Sequence, residues 1–116
     1  MDSMFSVSSF NQDLSGWDVS SVTSMKSMFN KSPFNQDISN WDVSSVEWMD
    51  FMFGGTPFNQ DISGWDVSSV VYIYYMFYNT TGFNQDLSGW DVSSVDNHAG
   101  FDLKATSWVL PRPNFT

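Results

Sequence analysis

Apolar side chains return along this chain at fixed places in a unit of 24 residues. Phe-Asn-Gln-Asp stands at 10–13, 34–37, 58–61 and 83–86, and Trp-Asp-Val-Ser-Ser-Val follows at 17–22, 41–46, 65–70 and 90–95. Met-Phe closes each unit at 4–5, 28–29, 52–53 and 76–77. The spacing is 24, 24 and then 25, with the extra residue in Tyr78-Asn79-Thr80-Thr81-Gly82. Inside a unit, Leu14, Trp17, Val19 and Val22 follow L-x-x-L-x-L-x-x-V. Trp17 and Val19 alternate with Gly16, Asp18 and Ser20, which predicts a short strand. Val22, Met25, Met28 and Phe29 then fall at i, i+3, i+6 and i+7, which predicts a helical turn with Ser20 or Ser21 as N-cap. Pro33, Pro57, Gly82 and the Gly54-Gly55 pair mark the turn back toward Phe-Asn-Gln-Asp.

One such unit cannot fold alone. About eight inward side chains at ~2 kcal/mol each give ~16 kcal/mol, whereas ordering its residues at ~1–2 kcal/mol apiece costs more. Both edges of a unit must therefore be covered by its neighbours. The fold expected is an α/β repeat solenoid of leucine-rich-repeat-like coils of about 24 residues, each with one short parallel strand and one short helical turn. A β-solenoid is the alternative. Residues 1–101 are expected to form four coils, starting mid-repeat because Met1 and Met4 share the register of Met25 and Met28. Such a start suggests a piece of something longer. Residues 102–116, where the pattern decays, are expected to be a C-terminal capping tail.

Composition narrows the function. Aromatic residues make up 18% of the chain and charged residues 15%, which is too apolar for a disordered acidic tail. The net charge of -9 repels duplexes and anionic bilayers, so nucleic acid is not an expected partner. No apolar run reaches the ~20 residues of a membrane span. The chain has no cysteine, which excludes disulfides, thiolate catalysis and Cys-based zinc sites.

The unit F-N-Q-D-[LI]-S-x-W-D-V-S-S-V-x-x-M-x-x-M-F resembles the BspA-like surface-protein repeat (domain of unknown function 285), known from mycoplasma and lactobacillus surface lipoproteins and from some algae and protists. The likeness covers roughly residues 1–101. It implies a secreted or surface-displayed protein with a leucine-rich-repeat-like fold, concerned with adhesion and surface variation. The chain departs from that pattern at Glu47-Trp48-Met49-Asp50-Phe51 and Val71-Tyr72-Ile73-Tyr74-Tyr75, where the family carries polar residues.

That departure supplies the first candidate site. By register, Ser24, Trp48 and Tyr72 share one column and Ser27, Phe51 and Tyr75 another, beside core columns of Met25, Met49, Ile73 and Met28, Met52, Met76. Trp48, Phe51, Tyr72, Tyr74 and Tyr75 should then form one outward aromatic patch, suited to self-association or to stacking on a carbohydrate; a rotated helix would bury part of it. A second candidate is the column Asp18, Asp42, Asp66 and Asp91 on a concave strand face, alongside Asp13, Asp37, Asp61 and Asp86. These carboxylates should cap local N–H and hydroxyl groups, with calcium bridging as the lesser reading. Four equivalent copies argue against a catalytic pair, which needs one distinctive environment. Asn11, Asn35, Asn59 and Asn84, each beside a Gln, should form an amide ladder.

His98 has no second histidine or cysteine to act with, no repeated serine has a base partner, and there is no Gly-rich phosphate loop. Sequons at Asn30, Asn79 and Asn114 are N-glycosylation candidates, Asn79 first. The reading is an extracellular or cell-surface structural and adhesion module, not an enzyme and without a cofactor, that associates with other copies of itself into a larger or filamentous assembly. The alternative is a module that binds surface glycans or host proteins through the concave face.

Overall fold

The computed structural model describes residues 1–115. Its backbone is made of turns. Among the described residues there is no helix and no strand, and β pairing is limited to three isolated parallel bridges, Ser24 with Trp48, Trp48 with Tyr72, and Tyr72 with Asn97. The chain is thus neither an α/β, leucine-rich-repeat-like solenoid nor a β-solenoid, and both expectations are corrected. It is a compact body of 36 × 32 × 20 Å. Among the described residues no helix is long and apolar enough to cross a membrane.

The local reasons can be read from the hydrogen bonds. The spacing that suggested a strand marks two turns instead. Trp17 N–H donates to Leu14 C=O at 3.0 Å and Val22 N–H to Val19 C=O at 2.9 Å, so each apolar pair three apart closes a four-residue turn. Asp13 and Asp18 accept the amides of Ser15 and Ser20 at 2.8 and 3.0 Å, fixing the entry to each turn. The same pairs recur in the following units.

The spacing that suggested a helix belongs to a ribbon over residues 25–32 and its equivalents. Left-handed backbone stands at Ser27 (φ 55°) and Lys31 (φ 59°), and again at Phe51, Gly55, Tyr75, Asn79, Gly100 and Lys104. A left-handed residue every fourth position stops helical bonding from propagating. Amides instead alternate between two uses. Met28, Asn30 and Ser32 donate three residues back, whereas Ser27, Phe29 and Lys31 donate to Asp50, Met52 and Gly54 of the next unit at 2.8–3.0 Å. The three-residue apolar spacing is satisfied without any helix.

Between units, side chains of the same register lie together. Phe10, Phe34, Phe58 and Phe83 stack at 6.1–6.2 Å, and Phe5, Phe29, Phe53 and Phe77 at 5.6–5.9 Å. The two columns meet inside each unit at 3.7–4.3 Å. Trp41, Trp65 and Trp90 are buried and donate their indole N–H to Leu14, Ile38 and Ile62 at 3.0–3.1 Å. Asn11, Asn35 and Asn59 accept the amides of Asn35, Asn59 and Asn84, each at 2.9 Å. The last of the series, Asn84, receives Val109 and Leu110 at 2.9 and 3.0 Å. Trp108 lies edge-on to Phe77 and Phe83 and bonds Gln85 C=O at 2.9 Å. The extra residue in the third unit falls at Thr81-Gly82, in place of the single Pro57, and is taken up in a turn that Phe83 N–H closes on Thr80 C=O at 3.2 Å; the buried Thr80 hydroxyl reaches back to Phe53 C=O at 2.9 Å.

Candidate functional site

The two aromatic columns are carried on the bridge and ribbon of successive units. Trp48 stacks on Tyr72 with centroids 6.0 Å apart and planes 14° from parallel, and Phe51 stacks on Tyr75 at 5.1 Å and 7°. Tyr74 stands edge-on to both members of the second column, Phe51 and Tyr75, at 5.7 and 6.0 Å. Tyr78 adds a further edge contact to Tyr75 at 5.6 Å, a member the column argument had missed because only spacing from Tyr75 marks it. All six rings are half-buried. Each column is bounded by small or polar residues: Ser24 and Asn97 for Trp48 and Tyr72, Ser27 and Gly100 for Phe51 and Tyr75. Each outermost ring is therefore covered on one face only by a smaller neighbour.

The backbone under this face is exacting. Phe51 and Tyr75 hold φ of 56° and 55°, a region that bulky residues seldom occupy. Gly100 continues their column at φ 62°, and a Cβ added there would lie 2.4 Å from the Tyr75 ring. Beneath the rings sits Asp50, a buried carboxylate that accepts the Tyr74 amide at 3.1 Å. Burial pushes its pKa up, partly offset by that hydrogen bond and by Lys26.

The aspartate columns lie on turns, so there is no strand face to bear them. Asp18, Asp42, Asp66 and Asp91 accept the amide of the serine two residues on at 3.0–3.1 Å and its hydroxyl at 2.6 Å. Asp13, Asp37, Asp61 and Asp86 accept the equivalent amides at 2.8–3.0 Å. The serine hydrogen bonds hold all eight carboxyls below the ordinary carboxylate range. Among the described residues no three histidine, cysteine or acidic side chains gather into a metal-ligand group.

The sequons differ in setting. Asn79 is exposed on the unit with the extra residue, and its Thr81 is exposed too. Asn30 is half-buried, and the hydroxyl of its Ser32 is buried on Phe29 C=O at 2.7 Å. Asn114 is exposed, whereas Thr116, which completes its sequon and ends the tail, lies outside the described residues. His98 is exposed and stacks on Phe115 at 4.2 Å.

No curated protein and no solved structure matches this chain. One family does, through a model described as "Mycoplasma protein of unknown function, DUF285", and the match runs over residues 1–109. That span takes in every repeat and reaches Trp108 and Val109, the residues that cover the last phenylalanines and the last asparagine. The chain belongs to the DUF285 family.

Proposed function

We propose that the protein is an extracellular or surface-displayed structural and adhesion module that associates with copies of itself through the aromatic face. The observation that carries this reading is a pair of half-buried ring groups on consecutive units, Trp48 stacked on Tyr72 and Phe51 stacked on Tyr75 with Tyr74 edge-on, where the preceding unit has Ser24 and Ser27. A repeat position that is serine in one unit and aromatic in the next two is not needed for the core, because the neighbouring Met25, Met49 and Ile73 already close it. Half-exposed Trp and Tyr side chains favour protein contacts, where they bring large area at low entropy cost. The likeness of the repeat to BspA-like surface proteins supports display outside the cell. The net charge of -9 supports a role away from nucleic acid.

Changing Trp48 and Tyr72 together to Ser tests the reading. Ser already occupies that column at Ser24, so the core should survive. Sedimentation over a concentration series should show a smaller assembly than the parent chain forms. An unchanged assembly state would contradict the proposal.

A second reading takes the regular Asp18, Asp42, Asp66 and Asp91 column as a contact surface for a periodic glycan or a host protein. Its support is the identical turn geometry in four successive units. A glycan array set beside light scattering separates the two. Exposed Asn79 is proposed as the first glycan acceptor in a secretory host, and intact mass before and after deglycosylation checks it.

A further inference from the structure

We infer that the tyrosines of the aromatic face are sites of oxidative coupling, at which two copies of this chain become joined by a dityrosine bond. The inference rests on the self-association proposed above and adds a covalent modification to it. All four tyrosines of the chain, Tyr72, Tyr74, Tyr75 and Tyr78, fall within residues 72–78 of a single unit. The fold does not ask for tyrosine there. In the other units the same four positions hold Ser24, Trp48 and Asn97, then Lys26, Asp50 and Ala99, then Ser27, Phe51 and Gly100, then Asn30, Gly54 and Leu103. The tyrosine rings are half-buried and within reach of an oxidant, whereas Met52 and Met76 on the same ribbon are fully buried and shielded from it. A chain without cysteine has no disulfide with which to fix an assembly in an oxidising setting, and phenol coupling is a cross-link its own side chains supply.

The geometry favours a bond between copies over a bond within one. Coupling links the Cε carbons beside the two hydroxyls, so two ring edges must meet. Inside the chain the tyrosines meet edge to face instead: Tyr74 with Tyr75 at 6.0 Å and 88°, and Tyr75 with Tyr78 at 5.6 Å and 78°. Two of the four rings are restricted further. Tyr75 stacks on Phe51 at 5.1 Å and packs against Gly100, where an added Cβ would stand 2.4 Å from its Cε1. Lys104 holds its ammonium 5.8 Å from the centre of the Tyr78 ring, and a positive charge there opposes loss of an electron. Tyr72 and Tyr74 carry neither restriction and are the rings assigned to the bond. The oxidant required is hydrogen peroxide, used one electron at a time by a haem peroxidase. Each phenol gives up an electron and its proton. The two phenoxyl radicals join Cε to Cε, and the hydrogens displaced from those carbons pass to the oxygens as the rings regain aromaticity. The net change is two hydrogen atoms removed and one C–C bond formed, with the peroxide reduced to two waters.

The test treats the chain with peroxide and a haem peroxidase, at concentrations spanning the association measured by sedimentation beforehand. A denaturing gel, dityrosine fluorescence and intact mass read the result. The expected product is a dimer that survives denaturation, is two hydrogens lighter than two chains, and increases as the chain associates. Proteolysis and mass spectrometry of that dimer should place the bond at Tyr72 or Tyr74. Y72F/Y74F, which keeps both rings, should lose the covalent dimer, and Y75F/Y78F should retain it. Association without a covalent dimer, coupling confined to single chains two hydrogens lighter, or a bond mapped to Tyr75 or Tyr78 overturns this inference and leaves self-association standing. A chain that stays monomeric at every concentration before oxidation overturns both, whatever the oxidant then joins.

Discussion

Phe58 is the residue on which the packing account bears most heavily. Its ring is fully buried and stacks on Phe53 at 4.0 Å, Phe34 at 6.1 Å and Phe83 at 6.1 Å, with the last two contributed by the neighbouring units. Truncation to Ala removes the ring and leaves a cavity that both neighbours must tolerate. Changes of this kind cost ~3–5 kcal/mol, set against a total stability of ~5–15 kcal/mol for a domain of ordinary size. Phe10 occupies the same column, but at the edge. It is half-buried and stacks on Phe5 and on a single neighbouring unit through Phe34. The same change there should cost roughly half as much, because less area is lost and solvent fills the gap. Urea unfolding followed by tryptophan fluorescence measures both. With m near ~1.5 kcal/mol/M, F58A should lower the midpoint by about 2–3 M and F10A by about 1 M. Equal losses at the two positions, or a loss at Phe58 below ~1.5 kcal/mol, would refute the argument that cover from both sides sets the stability of a column.

Three other expectations follow from particular side chains. G100A should destabilise twice over, by ~1–2 kcal/mol for left-handed backbone and by a further ~1–3 kcal/mol as the new methyl displaces the Tyr75 ring; pairing it with Y75A in a thermal-melt cycle should remove the second part alone. Melting temperature should fall steeply below about pH 4, because eight carboxyls with lowered folded pKa values lose their contribution as they protonate. Asp50 runs the other way: its raised pKa means that stability falls as pH rises through it, so D50N should gain stability at pH 7 and not at pH 3. A flat acid limb, or a D50N effect independent of pH, would contradict these assignments.

Much of this molecule was readable from spacing. The 24-residue register placed Met25, Met49 and Ile73 in one buried column and Met28, Met52 and Met76 in another, because side chains that must be covered by their counterparts can only repeat at the period of the backbone. The amide ladder and the aspartate caps followed from residue chemistry at fixed offsets. Secondary structure did not follow. Apolar residues three and four apart suit a helix, but they suit equally a ribbon whose amides turn alternately inward and toward the next unit. Only Gly55 and Gly100 hint at the left-handed positions, since Ser27, Phe51 and Tyr75 fill them elsewhere. The alternation of Trp17 and Val19 misled in the same way, since Leu14 with Trp17 and Val19 with Val22 close turns. At the aromatic face, the column assignment brought Trp48 to Tyr72 and Phe51 to Tyr75, while Tyr78 and the carboxylate of Asp50 beneath the rings came from the fold alone.

The claim beneath all of this is that each unit satisfies the one before it, and the indole protons report it directly. Trp41, Trp65 and Trp90 each donate to a carbonyl of the preceding unit and Trp108 to Gln85, whereas Trp17 and Trp48 have no acceptor among the described residues. Hydrogen exchange followed by NMR in dilute solution should show four slowly exchanging indole N–H signals and two fast ones. Trp17 exchanging as slowly as Trp65, or Trp41, Trp65 and Trp90 all exchanging freely, would contradict the account.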